Sequence, residues 1–387
     1  MKILIVIDDY YNNSNGMCIS TQRFVKEFKR SGHQVRIMTN NRYENPDYPL
    51  EVLKIPLFNG IIEKEGYTFS KPQRKIIEQG VKWADIVHLE DPFFLCKASA
   101  DVACQLNKPL TATFHLYPEN MTYAVKLGNL RWVNNAFMRY FFNNVYNKCS
   151  YIQCPTKDVK ERLESYGING NLKVISNGID PYFLNKKSQI TQAGKLKIIT
   201  VGRYAVEKNQ KLLIEAIAKS NYKDDIELSI IGKGPLESKL RAYACKNKID
   251  VTFGFLNQES LRDVMLSSDL YVHCADVEVE GMSCMEAFAC GCVPIISDAK
   301  LSSTKSYALE TMNSFKSGDS KDLAKKIDWF YENRNELNRL RKKYRQFALN
   351  LGVEQSAQRA ISMFTSAIKE KEAKKDGSYI YAMDIYN

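Results

Sequence analysis

Short runs of apolar residues alternate with segments of helical periodicity along most of the chain. Such runs are typical of strands that are buried on both faces, as they are when helices cover a parallel sheet. In the first half of the chain the pattern predicts strands over residues 2–7, 34–39, 51–55, 86–89, 110–114 and 151–154. In the second half it predicts strands over residues 197–201, 227–231, 251–253, 270–273 and 293–296. The alternation therefore predicts an α/β protein with parallel sheets.

The two series of strands predict two domains. The first series begins with a predicted strand, a loop, a helix that ends at Gly32 and a second strand. This order is typical of the start of a nucleotide-binding βαβ unit. Residues 185–195 lie between the series and are polar, as is typical of a linker. We therefore expect a Rossmann-like domain over residues 1–187, a second one over residues 188–365 and a tail over residues 366–387. Two such domains would face a central cleft and bind a ligand at the carboxyl ends of their strands.

Composition excludes several classes of protein. The chain has 387 residues, 44% of them hydrophobic and 26% charged, as is typical of a folded protein. No apolar run reaches the roughly 20 residues of a membrane-spanning helix, and acidic residues follow the first strand before a signal peptide could form. Ten cysteines are too few for a disulfide scaffold of this length. Four of them lie near His273 without the paired spacing of a zinc site: Cys274, Cys284, Cys290 and Cys292. We therefore expect a cytoplasmic protein with reduced thiols and no metal site.

The net charge of +11 is unevenly distributed, because residues 1–187 hold 25 basic and 18 acidic side chains. A basic protein can bind nucleic acid, but no cationic run here is longer than Arg341-Lys342-Lys343 and no nucleic-acid module is recognisable. A predicted helix in the first half places one apolar face between Arg139 and Lys148, formed by Phe137, Met138, Phe141, Phe142, Val145 and Cys149. That face either packs on the core or docks the domain on anionic lipid. An anionic membrane surface is therefore a better partner than nucleic acid.

The segment from Val277 to Gly291 carries candidate chemistry. Gly281 opens a predicted helix after a strand, and the N–H groups at such a helix start form an anion site suited to a diphosphate. Glu286 lies about one and a half turns into this helix, where its carboxylate can accept hydrogen bonds from ribose hydroxyls. Glu278 precedes the helix and can face the group on the far phosphate. The alternative is that both are solvated acids.

A second segment favours the functional interpretation. Arg203 and Lys208 lie five residues apart across a turn from a predicted strand to a predicted helix. Both cations can therefore converge on one leaving diphosphate. Either cation alone would be an ordinary surface residue.

The ordered set of motifs resembles glycosyltransferase family 4, a group of retaining enzymes with two Rossmann-like domains in the GT-B fold. In the second half the motifs are Gly202-Arg203 with Lys208, Gly232-Lys233-Gly234-Pro235, Phe253-Gly254, and Glu278 with Glu286. In the first half they are Asn15-Gly16, Gly32-His33-Gln34-Val35, Asp85-Ile86-Val87-His88, Thr113-Phe114-His115 and Ser176-Asn177-Gly178-Ile179-Asp180. The resemblance covers residues 1 to about 365 in the same order.

The resemblance implies roles for individual residues. The catalytic set would be His115, which would line the donor-sugar and acceptor pocket, together with Arg203, Lys208 and Glu278. Arg203 and Lys208 would bind the diphosphate, Glu286 the ribose and Glu278 the donor sugar. The remaining donor-binding positions would be Gly16, Gly234, Phe255, Leu256, Gly281, Met282 and Ser283. By contrast, His273 would be structural.

One departure from the family's pattern leaves two candidates for the sugar-contacting carboxylate. In the family a glycine usually follows the first glutamate, whereas here Val279 follows Glu278 and the Glu-Gly pair is Glu280-Gly281. Spacing from Glu286 selects Glu278, and we prefer it to Glu280.

The implied activity is retaining transfer of a hexose from a nucleotide-diphosphate sugar, with UDP-glucose or UDP-galactose as the expected donor. The acceptor would be a membrane lipid such as diacylglycerol or ceramide, or alternatively a lipid-linked oligosaccharide. No Asp-x-Asp pair follows an apolar strand, so we expect no cofactor and no metal requirement. A dinucleotide oxidoreductase is disfavoured, because Gly232-Lys233-Gly234-Pro235 lacks the third glycine of the fingerprint. The protein would lie peripherally on the inner face of the plasma membrane.

Overall fold

A computed structural model describes residues 1–56, 59–64, 66–123, 125, 127–168, 170–185 and 194–375. By proximity of Cα atoms the chain forms two compact units. Unit 1 contains Met1–Pro118, Leu130–Asn177 and the chain from Val353 onward, and unit 2 contains Glu119–Asn129 and Gly178–Gly352. Parallel sheets and helices build both units, which confirms the predicted α/β class with two Rossmann-like domains.

Unit 1 is built on a parallel sheet in the order β3-β2-β1-β6-β7-β8-β9. Its strands are β1 (Lys2–Val6), β2 (Gln34–Asn40), β3 (Tyr48–Leu50), β4 (Val52–Leu53), β5 (Phe69–Ser70), β6 (Ile86–Leu89), β7 (Leu110–Thr113), β8 (Tyr151–Cys154) and β9 (Asn171–Val174). β4 and β5 form a separate antiparallel pair. The central strand β1 is wholly buried after Lys2, because its apolar residues face helices on both sides of the sheet.

The helices up to residue 177 are α1 (Gly16–Arg30), α2 (Asn59–Lys64), α3 (Arg74–Trp83), α4 (Phe94–Gln105), α5 (Pro118–Thr122), α6 (Arg131–Asn144) and α7 (Lys157–Ser165). α1 begins at Gly16, because the side chain of Asn15 caps it by accepting a hydrogen bond from the Met17 N–H at 3.0 Å. The helix ends just before Gly32, whose φ of +81° is a left-handed conformation that glycine adopts without strain.

Unit 2 is built on a second parallel sheet in the order β12-β11-β10-β13-β15-β17. Its strands are β10 (Leu196–Val201), β11 (Ile226–Ile231), β12 (Val251–Gly254), β13 (Leu270–His273), β14 (Val277–Glu278), β15 (Val293–Ser297), β16 (Leu301–Ser302) and β17 (Ser314–Phe315). The helices of this unit are α8 (Pro181–Leu184), α9 (Gln210–Lys219), α10 (Glu237–Lys246), α11 (Gln258–Ser267), α12 (Met282–Cys290), α13 (Ser320–Glu332) and α14 (Arg334–Leu349). One apolar core includes β10, β13 and the wholly buried β15.

The last described helix, α15 (Val353–Lys375), belongs to unit 1. Its residues Ala360, Met363 and Phe364 lie in the same apolar core as α1, and the rings of Phe28 and Phe364 are 5.5 Å apart. The sequence division places residues up to 365 in the second domain. Helical periodicity shows that a helix has an apolar face but not which sheet that face covers. The pattern therefore could not show that the chain returns to unit 1 at Val353.

The predicted strands and the structure agree closely at the sheet centres and less well at the edges. β6, β8 and β13 have the bounds that the pattern predicts. The edge strand β9 was not predicted, because only Leu172 among its four residues is buried. The predicted linker over 185–195 lies mostly outside the described residues, as does the tail after Lys375.

Two composition-based expectations bear on the fold. All ten cysteines are free thiols, and seven of them are buried. No helix among the described residues has the length and apolarity needed to cross a bilayer.

Candidate active site

Glu278 and Lys208 form an ion pair in unit 2. Glu278 is positioned by β14, which pairs in parallel with β16 so that Glu278 lies opposite Ser302. Lys208 ends a single 3₁₀ turn over Val206–Lys208, directly before α9. Its Nζ lies 2.5 Å from Glu278 Oε2. Two loops that follow the carboxyl ends of β10 and β13 therefore meet through this pair.

Glu278 is held as an anion. The side chains of Glu278 and Lys208 are only 16% and 21% exposed. Burial by itself raises the pKa of the Glu278 carboxyl, but Lys208 and His273 outweigh that effect and lower the pKa to about 2. His273 Nε2 lies 3.4 Å from the same carboxylate oxygen. At neutral pH Glu278 can therefore accept hydrogen bonds but cannot donate a proton.

Gly281 fixes the backbone between Glu278 and α12. Its φ of +75° is left-handed, and a Cβ added there would lie 2.4 Å from Thr304 Cγ2. The first N–H groups of α12 have no partner within the helix, so they provide donors for an anion. Ser283 donates its hydroxyl to the carbonyl of Val201 at 3.1 Å, which fastens this helix start to the end of β10.

Arg203 is held in the other loop of the site. Its guanidinium lies 2.7 Å from Glu207 Oε1, and Gln210 donates to its carbonyl oxygen at 2.8 Å. The Glu207 carbonyl also accepts a hydrogen bond from the Asp276 N–H, which ties this loop to the one that carries Glu278. Arg203 and Lys208 thus lie on one loop, and each meets a carboxylate: Glu207 on the same loop and Glu278 on the neighbouring one.

The other predicted donor-binding residues of unit 2 differ in exposure. Phe255 is 54% exposed, with the ammonium of Lys233 4.7 Å from its ring centre. Leu256 is half-buried against the core, and Gly234 lies so close to the Tyr204 backbone that a Cβ would clash with it. Glu286 is buried on α12, and Met282 packs against the core.

Two predicted residues lie in unit 1. His115 follows β7, and its Nε2 lies 2.8 Å from Glu90 Oε2 in a pair whose side chains are each 5% exposed. His88 lies on the other side of Glu90, with Nε2 3.7 Å from Oε1. Burial raises the pKa of Glu90, but the two histidines outweigh it, so the pKa is lowered. Gly16 is the first residue of α1 and has open space around its Cβ position.

Glu278 and Glu280 have different surroundings in the structure. Glu278 meets the ammonium group, whereas Glu280 is 3% exposed and lies at the turn before Gly281. Which of the two glutamates contacts the donor sugar stays a prediction.

Sequence reasoning missed three partners of the predicted residues: Glu90, Glu207 and His273. Each is buried and contacts a residue that was predicted. His273, which we expected to be structural, contacts Glu278. A polar residue at or just after the carboxyl end of a buried strand was the available signal for Glu90 and His273.

Among the described residues, no three His, Cys, Asp or Glu side chains are arranged to hold a metal ion. Whether the reaction needs a metal stays a prediction.

Family models match most of the chain. Residues 14–183 match the model of Glycosyltransferase Family 4, and residues 183–347 match that of Glycosyl transferases group 1. The chain is 22% identical over 318 residues to the alpha-monoglucosyldiacylglycerol synthase of Streptococcus pneumoniae, covering 76% of this chain and 70% of the relative. It is 27% identical over 311 residues to a GDP-mannose-dependent alpha-mannosyltransferase of Corynebacterium glutamicum, covering 76% and 72%.

A solved structure shares the fold. Sucrose-phosphate synthase from Thermosynechococcus elongatus superposes with a TM-score of 0.72 at 15% identity, covering 96% of this chain and all of that one. The family matches together span residues 14–347, and they follow the order of the motifs in the sequence. The chain therefore belongs to glycosyltransferase family 4 and is a hexosyltransferase with the GT-B fold.

Proposed function

We propose that this enzyme transfers glucose or galactose from a UDP-sugar to a hydroxyl group of a membrane lipid, such as diacylglycerol or ceramide, with retention at the anomeric carbon. The observation that carries the proposal is the Lys208–Glu278 pair beside the start of α12. It combines a cation, an ionised acceptor and a set of N–H donors, which are the groups that a sugar diphosphate needs. A relative that is named a monoglucosyldiacylglycerol synthase supports the lipid acceptor.

The cations and the helix start would act on the leaving group. When the bond from the anomeric carbon to the diphosphate breaks, negative charge grows on the phosphate oxygens. Lys208, Arg203 and the first N–H groups of α12 are fixed before the reaction by the contacts described above. Such preorganised charge stabilises a transition state without reorganisation during the step. The leaving phosphate would then accept the proton of the acceptor hydroxyl.

Glu278 would bind the donor sugar rather than exchange protons with it. Its pKa of about 2 keeps it ionised, and only one of its oxygens is occupied by Lys208 and His273. A carboxylate oxygen accepts strong hydrogen bonds from sugar hydroxyls. Lys208 would thus hold Glu278 in place and contact the diphosphate as well.

His115 would contribute from unit 1. Its Nε2 faces Glu90, so Nδ1 is the nitrogen left for a sugar or acceptor hydroxyl. Glu90 fixes the ring orientation and the tautomer through this contact.

The acceptor lipid would place the enzyme peripherally on the inner face of the plasma membrane. A lipid-linked oligosaccharide is the alternative acceptor, since it presents a hydroxyl at the same membrane surface. A mannosyl donor is a further outcome of the test, because a relative is named GDP-mannose-dependent.

A donor and acceptor screen tests the proposal. Purified protein is incubated with UDP-glucose, UDP-galactose or GDP-mannose and vesicles that contain diacylglycerol, ceramide, a sterol or extracted lipid-linked oligosaccharide, with and without EDTA. We expect UDP release that depends on a lipid acceptor, an α-linked glycolipid by NMR, and no effect of EDTA. Glu278→Gln should abolish transfer, whereas Asp250→Asn, an exposed acid of the same unit, should not. Consumption of GDP-mannose alone, or of no donor, would overturn the proposal.

A further inference from the structure

His88 is a buried histidine on the face of the unit 1 sheet that α1 and α15 cover. Ile86, two residues earlier on β6, lies on the same face because side chains alternate along a strand. It belongs to the apolar core that contains residues of α1 and α15. The ring of Phe364 on α15 lies 4.9 Å from the ring of His88, which is 2% exposed. Burial in such a layer is unfavourable for a polar ring unless its nitrogens have hydrogen-bond partners.

The neighbouring strand β7 supplies partners for both ring nitrogens of His88. The two strands pair in parallel with His88 opposite Thr111. Nδ1 lies 2.8 Å from the Thr111 hydroxyl, and Nε2 lies 2.9 Å from the Thr113 hydroxyl. Burial lowers the pKa of His88, so the ring is neutral and has one donor and one acceptor nitrogen. A hydroxyl can donate or accept, and the two threonines therefore fix the ring plane in either tautomer.

Glu90 selects one of the two tautomers. Its Oε1 lies 3.7 Å from His88 Nε2, and its Oε2 lies 2.8 Å from His115 Nε2. The lowered pKa of Glu90 keeps it ionised, so its oxygens only accept hydrogen bonds. This carboxylate repels a nitrogen lone pair and attracts an N–H group. By this argument both histidines carry their proton on Nε2, and Glu90 lies between two N–H groups.

The space around these three residues is too small for a substrate. His88, Glu90 and His115 line one cavity of about 10 Å³, which holds at most one water molecule. His88 and Glu90 are 2% and 4% exposed. An effect of His88 or Glu90 on the reaction is therefore exerted through His115.

Glu90 depends on the two histidines for its position. Within the described part of the chain it forms no ion pair with Lys or Arg. A buried carboxylate without such a cation is held by its N–H donors, so the loss of one donor displaces it or raises its pKa. A displaced or protonated Glu90 no longer fixes the Nε2–H group of His115. A change at His88 is thus transmitted to His115.

We infer that His88 is a positioning residue for sugar transfer, which orients His115 through Glu90, and that α15 supports it through the ring of Phe364. This inference deepens the proposed function and rests on the role of His115 in it. It gives the last described helix a part in the active site beyond closing the core of unit 1.

NMR of the histidine rings tests the tautomers in the full-length protein. The protein is labelled with ¹⁵N-histidine, and single His→Gln variants assign the four rings. We expect Nε2–H at both His88 and His115 at neutral pH. Glu90→Gln offers one acceptor oxygen and one NH₂ group in place of two acceptors, so one of the two rings should change to Nδ1–H. Nδ1–H at His88 in the wild type, or unchanged tautomers in Glu90→Gln, would overturn the inference.

Steady-state transfer from UDP-glucose to diacylglycerol in vesicles tests the effect on the reaction. His88→Leu removes an N–H group and should lower kcat about 10- to 100-fold, as for other residues that orient a functional histidine, with KM for the donor unchanged. His88→Gln keeps an N–H donor and should recover most of this loss, which a role in packing alone does not explain.

Two variants of α15 test its contribution. Phe364→Leu keeps an apolar side chain without the ring, and should lower kcat by a smaller factor than His88→Leu. The matched control is Met363→Ala, which removes buried volume from the same helix. It should lower the melting temperature and leave kcat and the tautomers unchanged. Equal kcat in the two variants would show that α15 contributes stability only.

The outcomes separate this inference from the proposed function. If His115→Ala and Glu278→Gln abolish transfer, but His88→Leu keeps the wild-type kcat and the His115 tautomer, the inference is wrong and the proposed function stands. If His88→Leu changes the His115 tautomer and slows transfer, but the donor is GDP-mannose, the inference stands and the proposed donor is wrong. If His115→Ala keeps the wild-type kcat, the inference fails together with the proposed role of His115.

Discussion

Each unit buries a carboxylate cluster near the carboxyl ends of its strands, and the two clusters have opposite electrostatics. In unit 2 Glu278 meets Lys208 and His273, and its pKa is lowered to about 2. In unit 1 Asp91 accepts hydrogen bonds from the N–H groups of Asp8 at 2.9 Å and Phe93 at 3.2 Å. Its burial, only partly offset by those hydrogen bonds, raises the pKa to about 6. Burial raises the pKa of both Glu278 and Asp91, so the presence or absence of a neighbouring cation decides whether the carboxyl is ionised.

The neighbours of Asp91 strengthen this conclusion. Asp8 is also buried, and burial together with the charge of Asp91 raises its pKa well above the usual value. Glu90, the residue before Asp91, has a lowered pKa because two histidines flank it. A buried acid in this fold therefore marks a site for anion chemistry only where a cation lies beside it, and Asp8 and Asp91 are better explained as a polar hub that ties β1, β5 and β6 together.

The two clusters predict opposite responses to pH. A carboxyl whose pKa is lowered by folding contributes stability above its unfolded pKa, and Glu278 loses that contribution as the pH falls from about 4.5 towards 2. A carboxyl whose pKa is raised contributes stability below its unfolded pKa, and Asp91 loses it as the pH rises from 3.8 through about 6.

The largest effect is expected on removing the cation of unit 2. Lys208→Met leaves Glu278 without its counter-charge and the leaving diphosphate without a contact. We expect kcat for sugar transfer to fall about 100- to 1000-fold, as for the loss of one preorganised electrostatic contact. Steady-state transfer of radiolabelled sugar measures it.

Two variants control this prediction. Lys239→Met removes an exposed cation of α10 and should leave kcat unchanged. Lys208→Met/Glu278→Gln should recover the melting temperature that Lys208→Met loses, because no buried charge is left unpaired, without recovering activity. If Lys208→Met kept the wild-type kcat, the cation of unit 2 would have no role in sugar transfer, and the functional contrast between the two clusters would be wrong.

The next largest effect is expected at the cluster of unit 1. Asp91→Asn replaces a buried group that ionises with one that does not. The unfolding free energy of the variant, relative to that of the wild type, should therefore rise between pH 4 and pH 8, by at most about 3 kcal/mol. Melting temperatures at a series of pH values measure the trend, and a constant offset from the altered hydrogen bonds does not affect it. The exposed Asp250→Asn should show no such trend. A difference that falls with rising pH would show that Asp91 is stabilised as an anion.

The smallest effect concerns the backbone that carries Glu278. Gly281 and Gly318 both have positive φ, but only Gly281 has a neighbour where a Cβ would lie. We expect Gly318→Ala to lower the unfolding free energy by about 1 kcal/mol, and Gly281→Ala by about 1 kcal/mol more.

A second substitution assigns the difference between the two glycines to the clash. Thr304→Ser removes the methyl group and keeps the hydroxyl that pairs with Ser302 at 2.7 Å. In the Thr304→Ser background, Gly281→Ala and Gly318→Ala should lower the unfolding free energy by the same amount. If the two variants lowered the unfolding free energy equally in the wild-type background, the loop would move to accommodate the Cβ. Gly281 would then not fix the position of Glu278.

Local patterns were enough to predict most of the central sheet strands and the start of α12. A βαβ unit is continuous in sequence, so its apolar runs, its glycines and the loops after its strands can be read in order. The pattern failed where burial was partial, as in β9, and where an apolar helix face had to find its partner, as in α15. For α6 it left packing on the core and docking on lipid open, and Met138 and Phe141 are buried in the unit. Spacing selected Glu278 over Glu280. The structure pairs Glu278 with Lys208, and the contact with the donor sugar stays a prediction.

By itself the sequence determined the family and the two parallel sheets, and it predicted a set of donor-site residues, because these follow from ordered motifs and local periodicity. Only the tertiary structure decided that Lys208 meets Glu278, 70 residues away, that His273 and Glu90 join the predicted residues, and that Trp132 rather than Met138 faces solvent. These features depend on which residues burial brings together and which charges it leaves unpaired. The sequence alone shows neither, because desolvation and ion pairing act between residues that only the fold makes neighbours.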